Sequence, residues 1–318
     1  MDLLLQQLQF SLSVTGPICL MLFLGIYFRR SQLIDDHFIE VASRLVFKVT
    51  LPALLFLSIA NSPHDVTRGG SLVLYGVASN FAFFLLITLV VKYYFKRAAD
   101  QGVIIQGAFR GNSAIIGLAL ITNAYGSDGL AQAALYVAAL TLLFNVQAVF
   151  TLTPKGKQSG MKALVIVIKT LTKNPLIIAI LSGLAFSRLN LTLPDIAGTA
   201  GQYFADMTLP LALICGGGSL DIRQLNHDKA PAWSATAFKL LACPILITFG
   251  AWVCGFRGAE LGIIYLCSSA PAAAASYVMA RAMGGNATLA ANIIVLTTLL
   301  SLFTTTLGVF VLSSLGLI

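Results

Sequence analysis

The sequence predicts an all-α integral membrane protein: ten transmembrane helices as two inverted five-helix repeats, with the fourth and ninth helices broken. Three observations predict it. Hydrophobic residues make up 58% of the 318 and charged residues only 10%, where a soluble domain carries about 25% charge; mean hydropathy is +0.88. The chain also matches itself across its midpoint. Thr50-Leu51-Pro52 and Thr208-Leu209-Pro210 lie 158 residues apart, each mid-span, each with a charge four residues before the proline, Lys48 and Asp206. Finally, Lys and Arg fall unevenly on the loops.

A helix needs about 20 apolar residues to cross the hydrocarbon core. Ten segments supply them, at 8–28, 38–60, 70–92, 103–124, 129–151, 173–187, 195–219, 231–254, 258–281 and 287–316. What lies between them is short, so no extramembrane domain is expected. The N-terminus lacks the basic region and small-residue cleavage site of a signal peptide, so the first helix is expected to be retained. Five spans per half is an odd number, so two repeats must face opposite ways across the membrane. Repeat one is 1–152 and repeat two 173–318. The segment 153–172 joins them; Pro154-Lys155-Gly156-Lys157 opens it. It reads as a basic cytoplasmic linker, in which 161–171 also fits a short interfacial helix.

With the N-terminus outside, the inside loops hold 13 of the 20 Lys and Arg, the outside loops 3 (Arg68, Arg188, Arg257) and the spans 4 (Arg44, Lys48, Arg110, Lys239). Cytoplasmic loops carry the basic excess. Both termini are therefore expected outside the cytoplasm of a multi-pass inner-membrane protein. The net charge of +8 is mostly this orientation signal. Scattered over short loops, it speaks against nucleic acid as a partner, which leaves the lipid bilayer.

The five cysteines (Cys19, Cys215, Cys243, Cys254, Cys267) fall in spans without a Cys-x-x-Cys pair, as small packing residues do. His37, His64 and His227 are in loops. There is no Gly-rich phosphate loop, nucleophile elbow or His-Glu-x-x-His, so no enzyme, metal site or cofactor is expected.

The chemistry is expected in the interrupted spans. Arg110-Gly111-Asn112-Ser113 stands inside span four, where such residues are costly unless they face a cavity. Gly111 lets the backbone leave helical geometry. Asn112 or Ser113 then caps a new half-helix, whose positive end near the midplane suits an anion. The bland alternative is a glycine that only permits close packing. Arg110 either holds a carboxylate with two hydrogen bonds or snorkels to the cytoplasmic face. Span nine offers the equivalent break, Ser268-Ser269-Ala270-Pro271: Pro271 removes a backbone bond and suits a first helical turn, while the serines satisfy freed backbone groups. Asn145 and Gln147 in span five, and Asn292, Thr297, Thr298 and Ser301 in span ten, are ligand contacts or interhelical glue.

Glu40, Arg44 and Lys48 share one helix face leading to Pro52. Glu40 with Arg44 reads as a structural pair. Lys48 is deeper; Asp206 is its repeat counterpart, and a buried pair between them would lower the cost of each. It is either static or part of coupling. Lys239 either snorkels or faces the interior.

These residues resemble the auxin efflux carrier family, which includes plant auxin exporters and bacterial carriers for malate, malonate and similar acids. The marks are Leu51-Pro52-Ala53-Leu54-Leu55-Phe56, Arg110-Gly111-Asn112-Ser113 with Gly117, Asn174-Pro175-Leu176, Lys239-Leu240-Leu241 with Pro244, Ala270-Pro271 and Thr298-Leu299-Leu300-Ser301. The resemblance implies a bile acid–sodium symporter-like fold in which broken helices four and nine cross near the substrate, with Asn112 and Pro271 at the crossing. It implies a scaffold (1–61 plus 173–220), a mobile transport domain (70–151 plus 231–316), an elevator mechanism and a homodimer. The plant carriers have proline where Gly111 and Ala119 stand, and many have a long central hydrophilic loop that is missing here.

Two functions follow: a secondary carrier of a small organic anion, a mono- or dicarboxylate, or a non-transporting receptor or scaffold of the same fold. Midplane polar groups favour the carrier. A sodium-coupled symporter is a variant of it, but no compact cluster of Glu, Gln and Asn demands Na+, so H+ coupling or none is preferred.

Overall fold

A computed structural model describes residues 2–61, 69–95, 98–152, 175–189, 191–220 and 229–318. The described residues are helical, joined by turns. In order they form α1 (Asp2–Arg30), α2 (Asp36–Leu45), a π-helical turn (Val46–Thr50), α3 (Leu51–Ala60), α4 (Gly70–Tyr94), α5 (Ala98–Phe109), a second π turn (Ser113–Gly117) and α6 (Leu118–Leu152). After the linker come α7 (Pro175–Arg188), α8 (Asp195–Gly218), α9 (Lys229–Ala237), a third π turn (Phe238–Ala242), α10 (Cys243–Val253), α11 (Gly258–Ser269), α12 (Ala275–Ala282) and α13 (Ala287–Ser314).

Two of the π turns have a cause in the sequence. Pro52 and Pro244 each stand in the first turn of the helix that follows one. Proline has no N–H to give the carbonyl four residues back. The chain takes in an extra residue, and the residue before each proline bonds five back: Leu51 N–H to Val46 O and Cys243 N–H to Phe238 O.

The expectation of ten transmembrane helices in two inverted five-helix repeats is overturned. Among the described residues, 6 helices are long and apolar enough to cross a membrane: Leu5–Arg30, Asp36–Ala60, Gly70–Tyr94, Ser113–Leu152, Ala230–Val253 and Ala287–Ser314. The physical reasons are local. The segment 103–124 is divided, α5 stopping after 12 residues. Its second half runs on with 129–151 as one 40-residue helical stretch, bent at Gly126 (φ 63, ψ −154). The segment 258–281 is divided into helices of 12 and 8 residues. The helix in 173–187 has only 14 residues. That in 195–219 is continuous but carries Asp195, Gln202 and Asp206.

Several expectations lie outside the described residues: the linker 153–172 with its 161–171 helix, Asn174, His64, His227, and the basic residues Arg68, Lys96, Arg97, Lys155, Lys157, Lys162, Lys169, Lys173 and Arg223.

Packing gathers the helices around the short ones. α1 lies on α8, and α3 on α7 and α8. The α1–α8 approach is backbone to backbone: a side chain at Gly25 would strike Ile214 O, and one at Gly217 would strike Leu22 O. Small residues bring membrane helices this close. α4, α5, α6, α9, α10, α11 and α13 pack among themselves. Ile104, Phe109, Leu118, Ile121, Leu261 and Ile264 are fully buried. The dry core therefore surrounds the inner ends of α5 and α11, where unpaired backbone groups are least affordable.

Candidate functional site

Two helices stop inside this core. α5 ends at Phe109; Arg110 N–H still bonds Gln106 O at 2.9 Å, and Gly111 N–H turns to Phe109 O at 3.1 Å. α11 ends at Ser269, and Ala270 is extended (φ −55, ψ 139), as steric conflict with Pro271 demands of the residue before a proline. The two breaks meet. Gly111 and Ala272 form an antiparallel bridge, with Asn112 N–H on Pro271 O at 2.7 Å and Ala273 N–H on Arg110 O at 3.0 Å. Each break thus satisfies backbone groups that the other leaves open, and an unsatisfied group in hydrocarbon costs several kcal/mol.

The remaining groups are met by side chains. Ala272 N–H donates to Thr297 Oγ1 of α13 at 3.1 Å. At the end of α11, Tyr265 O accepts from Ser268 Oγ, Leu266 O from Ser269 Oγ, Cys267 O from Ser113 Oγ and Ser268 O from Lys239 Nζ, at 2.9, 3.3, 3.2 and 2.9 Å. Four successive carbonyls at a helix end each have a side-chain donor. The serines do what their types suggested. Asn112 does not cap the next helix with its side chain, and Ser113 turns to α11 instead. Ile116 and Gly117 bond the Asn112 carbonyl; the N–H groups of Ser113, Ala114 and Ile115 have no intrahelical acceptor. Asn112 itself is half-buried.

Two cations stand at this junction. Lys239, in the third π turn, is 1% exposed, and Arg110 is 8% exposed. Arg110 does not snorkel away: Nη2 donates to Asn145 Oδ1 of α6 at 2.8 Å, and Nη1 lies 2.9 Å from Met279 Sδ of α12. Lys239 Nζ reaches Ser268 O, and a Cβ built on Gly111 would lie 3.0 Å from it. Glycine at 111 is what lets the ammonium lie against the bridge. The ion pairs among the described residues are Arg29–Asp36, between α1 and α2, and Arg44–Glu40, within α2, so neither buried cation has a carboxylate partner there.

Arg110, Gly111, Asn112, Ser113, Asn145, Lys239, Ser268, Ser269 and Pro271 are brought together. Asn292 is buried on α13. Lys48 and Asp206 are not paired: both are exposed, and Asp206 Oδ1 accepts from Gln202 Nε2 at 2.6 Å. Glu40 and Arg44 are joined at 2.5 Å, exposed on α2. Met279 and Gln106 were not singled out in the sequence. Gln106 is four residues before Arg110, on the same face of α5, and its Nε2 lies 3.8 Å from Met279 Sδ; that spacing was a usable signal, whereas nothing marks Met279. Among the described residues no group of three or more His, Cys, Asp or Glu is placed to hold a metal.

A sequence model of the membrane transport protein family matches residues 14–309. A relative from Methanothermobacter thermautotrophicus named "Uncharacterized transporter" is 26% identical, over 90% of this chain and 93% of its own. A "Putative malonate transporter" from Rhizobium meliloti is 24% identical, over 81% of this chain and 82% of its own. An "Uncharacterized transporter" from Methanocaldococcus jannaschii is 22% identical, over 90% and 93%.

Proposed function

The chain belongs to the membrane transport protein family, and on that premise we propose that it is an elevator-type secondary carrier of a small organic anion, with a dicarboxylate preferred over a monocarboxylate. One observation carries this reading: the two buried cations at the junction, Arg110 and Lys239, with no carboxylate partner among the described residues. A helix end carries about half a unit charge. Two C-terminal ends (α5, α11) and two N-terminal ends (at Ser113 and α12) meet here, and their contributions cancel. About two positive charges remain, which one dicarboxylate neutralises. The relative named for malonate, and the resemblance to a family that includes malate and malonate carriers, support the same substrate class.

Arg110 offers the carboxylate its planar fork, Lys239 a point charge, and Asn112 a half-buried amide at the bridge. The packing of α1, α3, α7 and α8 on one another supports the division into a scaffold (1–61 plus 173–220) and a transport domain (70–151 plus 231–316). Lys48 and Asp206 are exposed on scaffold helices, and charges within a membrane are costly; a homodimer that covers them would relieve the cost. The reading is of an inner-membrane carrier with H+ coupling or none.

Counterflow of labelled malonate, malate and acetate in proteoliposomes, with and without sodium and pH gradients, is the test. We expect dicarboxylate flux. Asn112→Ala should abolish it with the fold intact. Arg110→Lys should weaken affinity about tenfold, the scale of a hydrogen bond to a charged group. Wild-type affinity in both Arg110→Lys and Arg110→Ala sinks the counter-charge role. Absence of flux with retained dicarboxylate binding would make the protein a receptor.

A further inference from the structure

An open groove of about 650 Å³ runs between α10 and α13. Its walls are apolar: Leu240, Ile245, Phe249 and Trp252 on one side, Leu307 and Val311 on the other. Two of the polar groups that border it are engaged by the protein. Tyr265 Oη donates to Thr304 O at 3.1 Å, and Thr304 Oγ1 donates to Leu300 O at 3.3 Å. Both long walls belong to membrane-spanning helices, and much of the lining is exposed.

Length and charge identify the occupant. From Leu240 to Trp252 the groove extends about 18 Å at 1.5 Å per residue. One leaflet of hydrocarbon is about 15 Å deep, half of a ~30 Å core. At the Trp252 end, where an indole belongs at the membrane–water boundary, stands Arg257. Its guanidinium carbon lies 5.3 Å from the centre of the Trp252 ring. Nη1 donates to Trp252 O and Phe256 O, both at 2.7 Å, which holds the exposed guanidinium beside the Trp252 end of the groove. A one-leaflet apolar slot with a held cation at its boundary end matches one amphiphile: an acyl chain bearing an anionic headgroup.

We propose that this groove is a binding site for an anionic phospholipid, acyl chain along α10 and α13, phosphate on Arg257. The site is separate from the junction and does not depend on the carrier reading.

Delipidated protein in detergent is titrated with phosphatidylglycerol, with phosphatidylcholine of the same chains, and with glycerophosphate, followed by native mass spectrometry and thermal shift. Phosphatidylglycerol should bind about fivefold tighter than phosphatidylcholine, the scale of one basic residue at a membrane surface, and glycerophosphate should not bind measurably. Arg257→Gln should erase the preference while both lipids still bind. Val311→Trp, which fills the groove, should lose both; Leu307→Trp is the second blocking variant if the first misfolds. Equal binding of the two lipids by wild type, or full binding by a folded blocking variant, overturns the proposal. So does a change of oligomeric mass in the blocking variants, which would assign the groove to a second copy.

Discussion

At the scale of single residues, Gly111 and Lys239 are one unit. A methyl group at 111 meets Lys239 Nζ at 3.0 Å, Ser113 Oγ at 3.3 Å and Cys267 O at 3.4 Å. The nearest obstacle is the end of a flexible side chain, so the chain should still fold. We expect Gly111→Ala to cost under about 1 kcal/mol in thermal unfolding, near the centre of the range for point mutants. Flux should fall about tenfold as the ammonium leaves Ser268 O. A large stability loss with unchanged flux per folded molecule would show instead that the backbone bridge is the sensitive part. Arg110-Gly111-Asn112-Ser113 was legible because polar residues and a glycine inside an apolar span have few cheap alternatives. Met279 was not: a thioether beside a guanidinium looks, in a sequence, like any other apolar residue. The Lys48–Asp206 pair failed for a different reason. Equal offsets from Pro52 and Pro210 fix depth along a helix, not the direction in which a side chain points, and a π turn shifts that direction again on the Lys48 side.

At the scale of elements, apolar content was legible, and backbone continuity only where polar residues or a proline marked a break. Hydropathy sums over a window and ignores whether the helix inside it is whole. Hydropathy counted 103–124 and 258–281 as spans, and it was Gly111 and Pro271 that marked the breaks in them: α5 and α11 stop just before, after 12 residues each. The glycine at φ 63 within 113–152, by contrast, left no trace in composition. Helix contacts are testable at the same scale. In α8, Gly216 and Gly217 are neighbours with different surroundings: a Cβ on Gly217 would strike the Leu22 carbonyl, while one on Gly216 finds only Leu22 Cδ2, at 3.6 Å. Gly217→Ala should therefore force α1 from α8 and destabilise by about 1–3 kcal/mol, the usual cost of overpacking. Gly216→Ala should be neutral within about 0.5 kcal/mol. Thermal unfolding of both in the same detergent decides it. Equal effects would mean that helix propensity, not the close approach, controls this position.

At the scale of the molecule, the proposed elevator motion would slide one group of helices past the other, across the seam between α1 and α13. Its bonds are polar. Ser11 Oγ donates to Thr306 O at 2.6 Å, Thr15 Oγ1 and Thr306 Oγ1 share a hydrogen bond of 2.9 Å, and Gln7 meets Ser313 O and Ser314 Oγ at 3.3 and 2.8 Å. Hydroxyls on both sides can re-pair after a slip along the helix axis, which a tightly interlocked apolar surface does not allow. Hydroxyl-to-hydroxyl contact also places positions 15 and 306 within reach of a disulfide. Cys19 and Cys254 are the less buried of the native thiols and would be replaced first by alanine. In that background, Thr15→Cys with Thr306→Cys should cross-link under oxidant. Flux should then be lost while dicarboxylate binding, read by thermal shift, remains, and reductant should restore flux. Binding survives because the junction at Gly111 and Ala272, with Lys239 and with Thr297 of α13, lies within the group of α5, α6 and α9 to α13, whose internal packing the cross-link leaves intact. Full flux in the verified cross-linked protein would mean that α1 and α13 travel together, and the boundary of the moving part would have to be drawn elsewhere.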